Sequence, residues 1–222
     1  MTKKILVVAA HTDDEALGCG GTIAKHVAAG GIVYALIMTD GVASRGTSEG
    51  EAERRREAAA AAAHILGLRE SIQLAFPDNR MDSVALLDIV QAVEDVVRKL
   101  QPEIIYTHHA GDLNVDHRVT HEAVMTVCRP LPGSSVKEIY AFEVLSSTEW
   151  ASPAQKPFLP NVYVDISEFV EVKRRALEAY ADEMRAAPHS RNAAHVKSLG
   201  EHRGNTVGTT AAEAFEAIRI IK

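Results

Sequence analysis

The stretch ILVVAAHTDDEALGCGGT, residues 5–22, sets a continuous aliphatic run against an acidic cluster and then three glycines within four residues. A run without polar alternation is the mark of a strand buried on both faces, as in a parallel sheet covered by helices. A second such run, IVYALIMT (32–39), follows after a helix-length interval, and SIQLAF (71–76) and EIIYT (103–107) supply a third and a fourth. Between them lie EAERRREAAAAAAHILG (51–67), an alanine-rich helix that Gly67 closes, and an amphipathic helix from Ser83 to Leu100 that Pro102 ends. KEIYAFEVL (137–145) and NVYVDI (161–166) read as two further strands. A charged helix from Glu168 to about Arg185, the turn PHSRN (188–192), another helical segment, a loop HRGNTVGTT (202–210) and a last apolar segment AFEAIRII (214–221) complete the chain. Strands alternating with helices indicate an α/β fold, a three-layer sandwich with a mainly parallel sheet. We expect one domain over 1–222, with the last third as a C-terminal helical and strand appendage.

The 222 residues are 46% hydrophobic and 24% charged with a formal charge of −6, which is ordinary for a soluble globular protein. That charge argues against general affinity for nucleic acid or anionic membrane and for a small-molecule partner. MTKKILVVAAH at the N-terminus has too few apolar residues for a signal peptide or a membrane span, so the expected location is cytoplasmic. Cys19 and Cys128 have no metal-pair spacing and read as small buried hydrophobes.

In such folds ligands bind beyond the carboxyl ends of the strands. Polar residues gather in each loop there: His11, Asp13 and Asp14 after the first strand, Asp40 and Arg45 after the second, Asp78 and Arg80 after the third, His108 to His117 after the fourth. GCGGT (18–22) lacks both the Gly-x-Gly-x-x-Gly order and the Lys-Ser/Thr of a P-loop, and the acidic cluster before it would repel phosphate. Close packing of helix on strand explains its glycines better. His11 and Asp14, three apart on a turn, make half of a hydrolytic zinc site, and DLNVDHRVTH (112–121) offers His117 and His121, besides Asp112 and Asp116, for the rest. Spacing alone allows a two-histidine helix face or His117 by itself, and a chance acidic turn opposite surface histidines is the plain alternative.

AHTDDE (10–15) resembles the AHPDDE signature of the LmbE/PIG-L family of zinc-dependent N-deacetylases, and DLNVDHR (112–118) resembles its second motif. The likeness extends through TDG (39–41) to RGNTVGTTAAEAF (203–215), nearly the whole chain. It implies a Rossmann-like sheet and a single zinc, or iron(II), held by His11, Asp14 and His117, with Asp13 as general base and His121 an ordinary helix residue. It also implies an N-acetylated amino sugar or its conjugate as substrate, and a homo-oligomer. A non-sugar or thiol-linked glucosamine amide, a catalytically weak binding protein and a divalent-metal phosphoesterase are the competing functions. Thr12 replaces the usual proline without changing the ligand spacing. Asn114 stands where many members carry a histidine credited with stabilising the oxyanion or protonating the leaving amine, and asparagine cannot deliver that proton. Either Asp13 serves as base and acid, or His108, His109 or His189 supplies the proton. Asp116 is expected beside His117 as a supporting group and Glu15 behind the first motif. Arg45, Asn114, His108, His189 and Arg191 are the candidate substrate contacts. The turn Asp78–Asn79–Arg80 faces the crevice, the run Arg54–Arg56 is mostly solvated face, and Arg203 and Glu213 are expected to pair.

Overall fold

The computed structural model describes residues 2–39 and 49–222; Asp40 and Arg45, in the loop after the second strand, lie outside them. Its elements run β1 (Lys4–Ala9), α1 (Asp14–Ala28), β2 (Ile32–Thr39), α2 (Glu49–Leu66), β3 (Glu70–Phe76), α3 (Leu86–Leu100), β4 (Ile104–His108), α4 (Val115–Val127), β5 (Glu138–Phe142), β6 (Val162–Asp165), α5 (Val170–Ala179), α6 (Ala193–Val207) and β7 (Ala212–Ile220). The sheet order is β3-β2-β1-β4-β5-β7-β6. The first five strands pair in parallel, and β7 lies antiparallel between β5 and β6.

Strand β1 shows why the aliphatic run fixes the layers. Successive side chains leave opposite faces of a strand. Ile5 and Val7 accordingly join Leu17, Ile23, Leu66 and Leu177 of α1, α2 and α5, while Leu6 and Val8 join Ile89, Val93 and Val124 of α3 and α4. These four side chains are fully buried, where an unpartnered polar group would be costly. The strand order reverses direction between β1 and β4, and the loops after these two strands carry both sequence motifs to one crevice.

The glycines of α1 do serve close packing. A Cβ at Gly18 would meet the Phe142 ring at 2.3 Å, and one at Gly21 would meet Ile166 at 2.8 Å. The helix is kinked at Cys19 (φ −147°, ψ 24°), and the amides of Gly21 and Thr22 donate to the Glu213 carboxylate on β7 at 3.0 and 2.7 Å.

Two expectations about the last third change. HRGNTV belongs to α6 rather than to a loop, and the helix ends only at Gly208, whose φ of +80° supplies a left-handed cap. Gly204 inside it comes so close to the Ala211 backbone that a Cβ would sit 2.6 Å from the Ala211 Cα, so its glycine marks an approach, not a turn. Arg203 does not pair with Glu213. It donates from Nε and Nη2 to Glu143, just beyond β5, at 2.8 and 2.7 Å, while Glu213 takes the Lys173 ammonium at 2.6 Å. Since β7 is inserted within the sheet, Glu213 faces α1 and α5 instead of the helix that carries Arg203. Among the described residues no helix is long and apolar enough to cross a membrane.

Candidate active site

At the end of β1 the chain turns through Ala10, His11 and Thr12 and enters α1 at Asp14. Asp13 occupies the cap position with φ 100° and ψ −29°, a left-handed conformation that costs a non-glycine residue roughly 1–3 kcal/mol. The turn is over-determined: the Asp13 carbonyl accepts the amides of Ala16 and Leu17 (3.0 and 2.9 Å), and the Asp13 amide donates to Glu15 Oε2 (3.1 Å), whose Oε1 takes the Tyr180 hydroxyl (2.7 Å). Glu15 thus supports the first motif, as expected.

Three donor atoms converge beside this turn. His11 Nδ1 is 3.2 Å from Asp14 Oδ2, His117 Nε2 is 3.2 Å from the same oxygen, and the two nitrogens are 3.3 Å apart. Tetrahedral bonds of about 2.0–2.1 Å to zinc place ligand atoms about 3.3 Å from one another. This near-equilateral triangle fits one such ion, with the remaining positions toward the cavity. Burial opposes charge on His117, yet Asp14 and Asp112 raise its pKa to about 9, while His117 and His11 hold Asp14 well below the usual carboxylate range although burial pushes it up. A proton here occupies ground that suits a cation.

Carboxylates orient both imidazoles from behind. His117 Nδ1 donates to Asp112 Oδ1 at 3.1 Å, leaving the Nε2 lone pair to the triangle. His11 Nε2 faces Asp116 Oδ2 and Asp78 Oδ1, each at 3.1 Å, leaving Nδ1 to it. Asp112 also accepts the hydroxyls of Ser147 and Thr148, the latter at 2.6 Å. Asp116 also accepts the amides of Asn79 (2.7 Å) and Met81 (3.0 Å). Asp116 therefore serves His11 and the turn after β3, not His117 as expected: neighbours on α4 point about 100° apart, whereas Asp112, before the cap, folds back beneath His117. His11 Nε2, Asp78 and Asp116 form a second convergent group, but Asp116 is already engaged by two backbone amides. Asp112→Ala should weaken metal affinity about 10–100-fold, measured by competition with a chromogenic chelator; unchanged affinity would remove Asp112 from this role.

A cavity of about 200 Å³ opens over the triangle, with Asp13, Arg55, Asn114, Ser147, Glu183 and Arg191 in its walls. Burial pushes the Asp13 carboxyl up to about 8, against the pull of Arg191, whose Nη1 donates to Asp13 Oδ2 at 2.7 Å. Arg191 Nε donates to Ser146 Oγ at 3.1 Å, and of PHSRN it is Arg191 that lines the cavity. His189, expected as a substrate contact, is not among the residues that line the cavity; its Nδ1 accepts the Arg191 amide at 3.0 Å. Of the arginine run, Arg55 faces the cavity, 3.5 Å from Glu183, and Arg56 pairs with Glu53 in solvent. Ser147 and Glu183 are site residues that sequence reasoning does not single out; of the run Arg54–Arg56, whose register the sequence leaves open, Arg55 is the member that lines the cavity.

His108 is not a substrate contact. It is fully buried, its Nε2 accepts the Ala10 amide at 2.8 Å, and its ring stacks on His117 at 3.9 Å, so it braces His117 from the protein side. His109 faces Glu216 (2.9 Å) and the Lys156 carbonyl (2.8 Å), away from the cavity. His121 is an ordinary helix residue, bonded to the His108 carbonyl at 2.8 Å. Asn114 lines the cavity, but its amide is committed: Oδ1 caps α4 by accepting the Asp116 amide at 2.8 Å, and Nδ2 donates to Asn79 Oδ1 at 3.0 Å. Asn114→Ala should cost about 1 kcal/mol of stability through the lost cap, read from a denaturant midpoint; an unshifted midpoint would contradict the cap.

The family profile described as GlcNAc-PI de-N-acetylase (PIG-L) matches residues 6–128, which span both motifs. An uncharacterized deacetylase, YaiS, of Escherichia coli K12 is 34% identical over 184 residues, 80% of this chain and 90% of that protein. The diacetylchitobiose deacetylase of Thermococcus kodakarensis is 32% identical over 197 residues, 80% of this chain and 69% of that protein. The solved structure of GalB, the 4-carboxy-2-hydroxymuconate hydratase of Pseudomonas putida KT2440, superimposes with a TM-score of 0.74 at 24% identity, over 100% of this chain and 99% of that one, a likeness of fold alone. A profile matched over more than half of the chain, and relatives matched over most of it, make this protein a member of the PIG-L de-N-acetylase family.

Proposed function

We propose that the protein is a metal-dependent N-deacetylase that removes the acetyl group from an N-acetylated amino sugar or its conjugate. The observation that carries this reading is the triangle of His11 Nδ1, Asp14 Oδ2 and His117 Nε2 with the buried carboxyl of Asp13, held by Arg191, beside it. The fold by itself would serve a hydratase equally, as GalB shows, so the reaction is argued from the site.

Two imidazoles and one carboxylate suit zinc or iron(II). Such an ion, when bound, supplies Lewis acidity that polarises an amide carbonyl and acidifies water. Asp13 takes the water proton as general base. Arg191 holds its Oδ2, leaving Oδ1 without a hydrogen-bond partner among the described residues and so available for that proton. None of His108, His109 and His189 lines the cavity. Asp13 is therefore also the group that returns the proton to the departing nitrogen. The amino-sugar substrate is supported by the names of the relatives, among them the diacetylchitobiose deacetylase.

The test is acetate release from N-acetylglucosamine, free, nucleotide-linked and glycosidically linked, by zinc-loaded protein, with chelated protein as control. Metal-dependent release from any member supports the reading. No release from protein carrying one metal per chain would refute the amino-sugar substrate.

A further inference from the structure

Among the described residues, one hydrogen-bonding side chain in the cavity wall has no partner. Arg55 pairs with Glu183, Arg191 with Asp13 and Ser146, Ser147 with Asp112, and Asn79 and Asn114 with each other. Thr12 lines the same cavity and is partly buried, yet neither its amide nor its hydroxyl has a hydrogen-bond partner among the described residues. Its neighbours in the chain are His11, a corner of the donor triangle, and Asp13, the base.

The turn presents this residue firmly. The His11 amide donates to Asp14 Oδ2 at 2.9 Å, the Asp13 amide donates to Glu15 Oε2 at 3.1 Å, and Asp13 is held at φ 100°. The backbone is thus fixed on both sides of residue 12. Threonine is also β-branched, which restricts its χ1, so its hydroxyl is presented with little rotamer freedom left to lose.

The reaction calls for such a donor. When the water oxygen bonds to the acetamido carbon, the carbonyl π pair moves onto the acyl oxygen, which carries the charge until the C–N bond breaks. Asp13, Asp14, Asp78 and Glu183 line the cavity with carboxylates that oppose this charge, and both wall arginines are engaged by two of them. Asn114 is engaged at both ends of its amide and would give up the α4 cap to turn toward substrate. A neutral hydroxyl fixed between ligand and base opposes no carboxylate, and a preorganised donor stabilises most where the charge develops.

We infer that Thr12 is a further catalytic residue, whose hydroxyl donates a hydrogen bond to the acyl oxygen as that atom becomes charged. The inference rests on the N-deacetylase reading above and adds to it the group that answers the charge on the substrate.

The test compares zinc-loaded Thr12→Val, which keeps the shape and loses the hydroxyl, with Thr12→Ser, which keeps the hydroxyl. Acetate release is followed on the member of the N-acetylglucosamine panel that the unsubstituted protein turns over fastest. Binding of the methylphosphonamidate analogue of N-acetylglucosamine, whose tetrahedral phosphorus bears an anionic oxygen, is measured by calorimetry. Thr12→Val should lower kcat and analogue affinity alike by about 10–100-fold with KM within about twofold, as expected for a hydrogen bond to a charged oxygen. Thr12→Ser should keep most of both, and metal content and Tm should stay unchanged in the two variants. An unchanged kcat and analogue affinity in Thr12→Val, a loss confined to KM, or an equal loss in Thr12→Ser would each overturn the assignment. If the unsubstituted protein releases acetate and Thr12→Val matches it, the assignment fails and the deacetylase reading stands; if the unsubstituted protein neither releases acetate nor binds the analogue, both fall.

Discussion

Asp13→Asn should lower kcat about 10²–10⁴-fold, the range expected for loss of a general acid–base group, while metal content and Tm stay close to those of the unsubstituted protein. Asparagine is among the few residues that tolerate the left-handed backbone, so the φ of 100° at position 13 is retained. Its carbonyl oxygen can still accept from Arg191, and its backbone amide still reaches Glu15. What it lacks is a site for the transferred proton. Steady-state kinetics with metal analysis by atomic emission decides the matter: a kcat within twofold of the unsubstituted enzyme would remove Asp13 from proton transfer.

Asp14→Ala should have the larger consequence for the site as a whole. Asp14 Oδ2 is the point on which the site closes, lying within 3.2 Å of His11 Nδ1, His117 Nε2 and, at 2.9 Å, the His11 backbone amide. Truncation removes the only carboxylate of the triangle and leaves two histidines facing each other at 3.3 Å with no anion to offset a bound cation. Loss beyond the 10–100-fold typical of groups behind the ligands is therefore expected, seen as less than about 0.1 metal per chain after dialysis and as activity at background. The variant should also lose the rise in Tm that added zinc produces in the parent, because an ion that binds only the folded state stabilises it by mass action. A variant that keeps one metal per chain and its zinc-dependent Tm would show that the ion sits elsewhere, the group His11, Asp78 and Asp116 being the alternative within reach.

Both variants concern residues named by a five-residue stretch after β1, and that is where sequence reasoning is strongest. His11, Asp13 and Asp14 share one turn, so their mutual placement follows from chain geometry once β1 is known to be a buried strand. Position after another buried strand brings His117 and His121 alike to the crevice side; it is the resemblance of DLNVDHR to the family's second motif that singles out His117. The same logic failed for the supporting groups. Asp116 is next to His117 in the chain yet braces His11, and His108, one of the crevice histidines by position, is sealed beneath His117.

The sequence by itself determined the sheet, through unbroken aliphatic runs that tolerate no solvent, and the donor types and spacing of the first motif, through a turn too short to rearrange. Only the tertiary structure decided which carboxylate serves which imidazole, that Arg191 grips Asp13, that Arg55 enters the cavity, and that β7 slides between β5 and β6 to bring Glu213 against α1. The physical reason is the range of the signals. Hydrophobic periodicity and turn chemistry act over a few residues and are written locally, whereas partners such as Arg191 and Asp13, 178 residues apart, meet only through how whole layers pack, and no local pattern encodes that meeting.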